Sequence, residues 1–209
     1  VGGCIGYTGA PTLCARAALR CGAGLVSVGV PEAIYAVTAV KNDEAMPFPL
    51  PSAEGKLARD ALPVLLERLE KSDVCVLGPG LGRNDTLTAL VQAVVMQSGT
   101  PLVLDADALF AVAQDAAVLE RARAPIVPDG DAAVLRVGNP GMAKGGSGDV
   151  LAGMLGALLC QMPARDAVQT AVWLHGRAGD LCAGRMGEYA MNPTDVIAAL
   201  PEVTKPIIR

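Results

Sequence analysis

The sequence predicts an α/β fold with a mostly parallel central sheet and helices on both faces. Three observations predict it. Short, continuously apolar runs such as "VCVL" and "PLVL" alternate with longer segments of helical periodicity, and strands of that kind are buried on both faces. Hydrophobic residues make up 52% of the chain but aromatic ones only 3%. Ala, Val, Leu and Gly therefore build the core, which suits helices packed closely on a sheet. Glycine-rich turns such as "GPGLG" directly follow the strand-like runs, as they do where open α/β sheets bind ligands at the carboxyl ends of strands. With 209 residues, the chain can bury the core of one domain. No repeat, low-complexity tract or second domain is visible, so residues 1–209 read as a single domain.

The elements follow in order. "TGAPTLCARAALRCGAG" predicts a helix over residues 10–21, with Pro11 in its first turn and Gly22 as its C-cap. "GLVSVGVP" predicts a strand over 25–30, stopped by Pro31, and "PEAIYAVTAV" a short helix. Residues 41–55 hold three prolines and read as a surface loop. "KLARDALPVLLERLEKS" reads as an amphipathic helix kinked at Pro63. Residues 74–77 form a buried strand that ends in "GPGLG", and the next helix takes Asn84 or Asp85 as N-cap. Residues 102–104 form a strand, then come the acids of "DADAL" and a helix. "IVPDGDAAVLRVG" reads as a hairpin around Asp129 and Gly130. "SGDVLAGMLGALLCQ" is apolar on nearly every face, hence a buried helix. "RDAVQTAVWLHGRAGDLCAG" is another helix, and "NPTDVIAALPEV" a last one, capped by Asn192 or Thr194.

Composition excludes several functions. The net charge is −4 and no basic run occurs, which argues against nucleic acid and anionic membranes as partners. No run of about 18 apolar residues is present, so no membrane span is expected, and no secretory signal is visible. The six cysteines are irregularly spaced and sit mostly in apolar segments. They read as small core residues of a cytoplasmic, reducing compartment. With one histidine, His175, and no C-x-x-C pair, no protein metal cluster is expected.

The turn "GGSGD", entering the helix that starts near Val150, is the most informative stretch. A helix N-terminus presents unpaired N–H groups and a positive dipole end. Glycines let that backbone approach a phosphate closely. Gly145, Gly146 and Gly148, with Ser147 among them, make a candidate phosphate hole. Asp149 stands in the first helical turn, where a carboxylate repels phosphate unless it accepts a proton from an attacking hydroxyl. A plain tight turn with an N-terminal capping acid is the structural alternative. No Walker motif is present, and neither "GYTGA" nor "GPGLG" fits the dinucleotide fingerprint.

"GYTGAPTLCARAALRCGAGLVSV", "VLGPGLGR", "PLVLDADAL", "GNPGMAKGGSGDVLAGMLGALL" and "WLHGRAGDLCA" together resemble the ADP/ATP-dependent NAD(P)H-hydrate dehydratases, a branch of the ribokinase-like superfamily. The resemblance covers nearly the whole chain in the family's order. It implies a ribokinase-like three-layer sandwich and an enzyme that repairs NADH or NADPH hydrated at C6 of the nicotinamide ring. Its bacterial members use ADP, giving AMP and phosphate, its eukaryotic members ATP, and both need Mg²⁺. It implies Asp149 as the base and Gly146 to Gly148 as the phosphate holder, with Gly148 at an AMP contact. Ala10 and Gly82 match substrate contacts, and Asn139, Asp105 and Asp107 border the same cleft. The family's habit implies a homotetramer. The family also carries a Thr-Pro-His-Pro-Gly-Glu block and a Lys-Gly nucleotide segment that are absent here, a gap falling at Pro125/Ile126. Together with the glycine turn opening at Val1, this suggests a longer chain with residues missing near 125/126 and before 1. A true deletion would remove a substrate-contacting histidine and much of the nucleotide site. Two other readings stay open: a ribokinase-like small-molecule kinase, and a non-catalytic nucleotide-binding regulatory domain. Considered singly, His175 reads as a packed helix histidine, and Glu188 and Tyr189 as structural. Lys144 reads equally as a solvated loop lysine or a phosphate contact.

Overall fold

The computed structural model describes residues 1–124 and 134–205. The chain forms two compact units, one of Val1–Thr12 and Leu25–Ile126, the other of Leu13–Gly24 and Val127–Arg209. Helix α1 (Gly9–Arg20) begins in the first and continues in the second.

The first unit is built from parallel strand pairs and their helices. Strand β1 (Ser27–Pro31) leads into α2 (Glu32–Lys41) and pairs in parallel with β2 (Met46–Leu50), Ser27 opposite Met46. A two-residue antiparallel pair, β3 (Ser52–Ala53) with β4 (Lys56–Leu57), precedes α3 (Ala61–Leu69). Strand β5 (Cys75–Leu77), helix α4 (Asp85–Gln97), strand β6 (Leu102–Leu104) and helix α5 (Asp107–Ala113) follow, and β5 and β6 pair in parallel. A 3₁₀ turn covers Ala116–Arg121. Val1 and Gly2 bridge the two parallel pairs. The Gly2 N–H donates to the Gly29 carbonyl at 3.1 Å, and the Gly78 N–H donates to the Val1 carbonyl at 3.1 Å. Leu50, Leu57, Leu65, Leu77 and Leu81 are fully buried between the strands and α3 and α4.

Two expectations fail here. The predicted loop over 41–55 contains β2, and its prolines explain how. The Met46 N–H donates to the Val26 carbonyl at 2.8 Å. Strand alternation then turns the N–H groups of Phe48 and Leu50 toward β1 and the nitrogens of Pro47 and Pro49 away. Proline is tolerated on the outer side of an edge strand, and β2 has no second partner among the described residues. The predicted helix from residue 56 starts at Ala61, because Lys56 and Leu57 pair in β4. Pro63 therefore falls in the first turn, where its missing N–H costs nothing, and it makes no kink.

In the second unit, α6 (Ser147–Leu159), α7 (Ala164–Met186) and α8 (Pro193–Thr204) pack on one another. A β-carbon on Gly153 would sit 2.0 Å from the Cys14 carbonyl oxygen, so α6 and α1 cross in near backbone contact. Asn192 caps α8 with a full capping box through Asp195. The expected hairpin around Asp129 and Gly130 lies outside the described residues. None of the cysteines is in a disulfide; four are buried, Cys14 is partly so and Cys160 is exposed. No helix among the described residues is long and apolar enough to cross a membrane.

Candidate functional site

In the first unit the "GYTGA" and "GPGLG" turns meet. Gly80 has φ +63°, a left-handed conformation that favours glycine. A β-carbon there would lie 2.9 Å from that of Ala10 and 3.1 Å from that of Tyr7. The turn is thus seated on the start of α1, and Ala10 and Gly82, expected to contact substrate, belong to one cluster. Asp107, the first residue of α5, fixes its far side. Its carboxylate accepts the Gly82 N–H at 2.9 Å and pairs with the Arg83 guanidinium at 2.7 Å. Arg83 lies over the Phe110 ring, 4.3 Å from its centroid. Both carboxylate oxygens of Asp107 are therefore engaged in holding Gly82 and Arg83. Asp105, two residues earlier, has its carboxyl raised by burial; the Ala106 N–H works against that, and the Asp107 charge adds a smaller push. Between these acids Ala106 has φ +44°, ψ −103°. That is strained for an alanine, and strain of this kind gathers at functional turns.

In the second unit one face of α7 holds the loop over residues 137–142. Gly176 and Gly179 leave room where a β-carbon would meet the Val137 and Met142 side chains at 2.4 Å and 2.3 Å. The next residue on that face, Asp180, accepts the Gly138 N–H and the Asn139 amide Nδ2–H, each at 3.1 Å. The Asn139 Oδ1 accepts the Gly141 N–H at 3.1 Å and caps the 3₁₀ turn Pro140–Met142. Asn139, expected beside the substrate, thus spends its amide on the shape of its own turn. The Lys144 ammonium donates to the Tyr189 carbonyl at 2.7 Å and the Met191 carbonyl at 2.5 Å. It ties the turn before α6 to the loop before α8.

The "GGSGD" turn follows directly. Gly146 caps α6 with φ +100°. Its β-carbon would lie 2.7 Å from the Leu13 side chain, whereas β-carbons on Gly145 and Gly148 would meet nothing within 4 Å. One glycine is required by the fold, and two leave open backbone at the helix N-terminus. Asp149 is half-buried in the first turn of α6. The Ser147 hydroxyl lies 3.4 Å from Nε2 of His175. That imidazole is only 8% exposed; burial pushes its pKa down to about 4, against a smaller upward pull from the Ser147 backbone.

Sequence reasoning missed Asp180 and the Ser147–His175 pair. The periodicity held a signal, since Gly176, Gly179 and Asp180 share one helical face, but nothing in it named the loop that docks there. Among the described residues no group of three or more His, Cys, Asp or Glu side chains could hold a metal. A magnesium ion carried on nucleotide phosphates needs only one or two protein carboxylates.

A family model described as NAD(P)H-hydrate dehydratase matches residues 1–127 and 118–202. A bifunctional NAD(P)H-hydrate repair enzyme of Moorella thermoacetica is 36% identical over 256 residues, covering 98% of this chain and 48% of the relative. That alignment is longer than the 209 residues of the chain, so the relative carries residues with no counterpart here. The chain spans about half the length of the curated relatives it matches. A ribokinase-like superfamily protein from Enterococcus faecalis aligns with TM-score 0.78 and 25% identity over 98% of this chain and 85% of that one. An ADP/ATP-dependent NAD(P)H-hydrate dehydratase from Bacillus subtilis, co-crystallised with ATP and Mg²⁺, aligns with TM-score 0.74 and 21% identity over 99% of this chain and 87% of that one. The fold is ribokinase-like.

Proposed function

The chain belongs to the NAD(P)H-hydrate dehydratase family, and from that premise we propose that it restores NADH or NADPH from the C6-hydrated nucleotide at the expense of an adenine nucleotide. The observation that carries the reading is the turn from Gly145 to Asp149: open glycine backbone at a helix N-terminus, followed by a carboxylate. The chemistry explains the pairing. Hydroxide is a poor leaving group, so the C6 hydroxyl oxygen attacks the terminal phosphorus of the nucleotide. The phosphoanhydride bond breaks, and Asp149 takes the hydroxyl proton. The glycine N–H groups of the turn carry the charge on the phosphoryl oxygens. The ring nitrogen's lone pair then expels phosphate from C6, and loss of a C5 proton restores the dihydronicotinamide. Magnesium brought in with the nucleotide would supply neutralisation of phosphate charge. Ala10 and Gly82 are the substrate contacts, while Asp107 acts by holding Gly82 in place.

ADP is the donor we favour, giving AMP, because the matched relatives are bacterial and archaeal and the family's bacterial members use ADP. A cytoplasmic protein fits six cysteines without a disulfide, and a homotetramer fits the partly exposed Val168, Val172 and Trp173 on α7. We read residues 1–209 as one dehydratase domain. The test is direct. The chain is incubated with hydrated NADH, Mg²⁺ and either ADP or ATP, and NADH absorbance is followed, with Asp149→Asn alongside. Recovery that requires one nucleotide and collapses in the variant is the expected result. No recovery with either nucleotide, despite nucleotide binding, overturns the reading.

A further inference from the structure

His175 is the chain's one histidine. It sits on the α7 face that grips the loop over residues 137–142, with Gly176 against Val137, Gly179 against Met142 and Asp180 on Gly138 and Asn139. Its ring position is therefore fixed relative to the turn that opens α6. Its neighbour there is the hydroxyl of Ser147, the first residue of α6, at 3.4 Å from Nε2. This is long for a hydrogen bond, as contacts of this kind are before substrate draws them in. Buried, the imidazole is uncharged at neutral pH, so it has one N–H and one lone pair. A serine hydroxyl has one proton and two acceptor positions. If Nε2 carries the imidazole proton, it donates to Ser147 Oγ, and the serine's own proton is left to point elsewhere.

We propose that His175 is a positioning residue: it holds the Ser147 hydroxyl so that the serine proton is directed at the phosphoryl group being transferred. The proposal rests on the dehydratase reading of the Gly145–Asp149 turn. The Ser147 O–H then joins the glycine N–H groups as a neutral donor, and His175 never touches the phosphate.

Two measurements on the untagged full chain test this. The first needs no activity. With a single histidine, ¹⁵N NMR reads the imidazole tautomer without assignment. The Nε2–H form is expected, with its resonance shifted by Ser147→Ala; an Nδ1–H form, or no response to Ser147→Ala, overturns the proposal. The second is a double-mutant cycle on NADH recovery. Ser147→Ala and His175→Leu should each lower kcat by about 10- to 100-fold, somewhat less than loss of an oxyanion-hole donor, with the KM for hydrated NADH unchanged. The double variant should be no worse than either single one. His175→Gln, which keeps an N–H within reach of Ser147, should recover most of the activity. Multiplying losses, or full kcat in His175→Leu, overturn the proposal. Should His175→Leu fail to fold, His175→Gln carries the cycle, and must have no effect in the Ser147→Ala background. A wild-type chain that recovers no NADH overturns the dehydratase reading instead, and the tautomer still decides the Ser147–His175 pairing.

Discussion

Asp149 stands in the first turn of α6 and His175 beside Ser147 at its start, and the role proposed for each makes a measurable prediction. Removing the proton acceptor in Asp149→Asn should lower kcat by about 10²- to 10⁴-fold, the usual contribution of a positioned base, while nucleotide affinity measured by calorimetry holds or improves. His175 predicts a stability profile. Its folded pKa of about 4 lies below the ordinary 6.5, so between those values the unfolded chain binds the proton that the folded chain refuses. Stability is then full above pH 6.5 and falls as pH drops toward 4, by an upper bound of roughly 3 kcal/mol. Urea unfolding at pH 7 and pH 4.5, compared with His175→Gln, reads this contribution. An equal pH slope in the variant would show that other groups are responsible. At this scale the sequence points to the turn on which the proposal rests but not to what supports it. Asp149 was legible because its neighbours in the chain are its neighbours in space. The partner of His175 lies 28 residues away, and the clamp on Asn139 lies 41 residues away on Asp180, so only tertiary packing reveals them.

Elements show where local pattern suffices and where pairing overrides it. The Asn84 side chain accepts the Leu87 N–H at 2.8 Å, the N-cap that the sequence announces. Asn84→Ala should cost about 1 kcal/mol in urea unfolding. Glycines inside helices divide sharply. Gly153→Ala drives a methyl into the Cys14 carbonyl and should lower stability by about 1–3 kcal/mol or more, as overpacking does. Gly184 on α7 has open space around a would-be β-carbon, so Gly184→Ala should stabilise by about 0.5–1 kcal/mol. Thermal melting of the two variants separates them by sign, and a shared sign would mean that the α1–α6 crossing relaxes freely. The helices α4, α6, α7 and α8 were legible from apolar periodicity and capping residues. Strand β2 was not, because three prolines in fifteen residues signal a loop. Only the register with β1 shows that the two inside the strand fall where no N–H is needed.

For the molecule as a whole, the family match breaks into two overlapping segments at 118–127, next to the Pro125/Ile126 gap noted in the sequence. The turns proposed to hold substrate and phosphate lie on either side of that gap, "GYTGA" and "GPGLG" before it and "GGSGD" after it. Assembly is testable at this scale. A homotetramer has four times the 21.3 kDa chain mass in light scattering, and Trp173→Glu, on the exposed apolar part of α7, should yield smaller species. A tetramer that survives the substitution would move the interface off α7. Strand β2 bears on the same question. Its outer side offers the carbonyls of Pro47 and Pro49 but no donor between them, so a strand from another molecule could accept nothing there. The sheet is chemically sealed against propagation from chain to chain along that margin, a safeguard against fibre growth in a protein this rich in apolar residues, and one that leaves copies of the chain to meet through other surfaces.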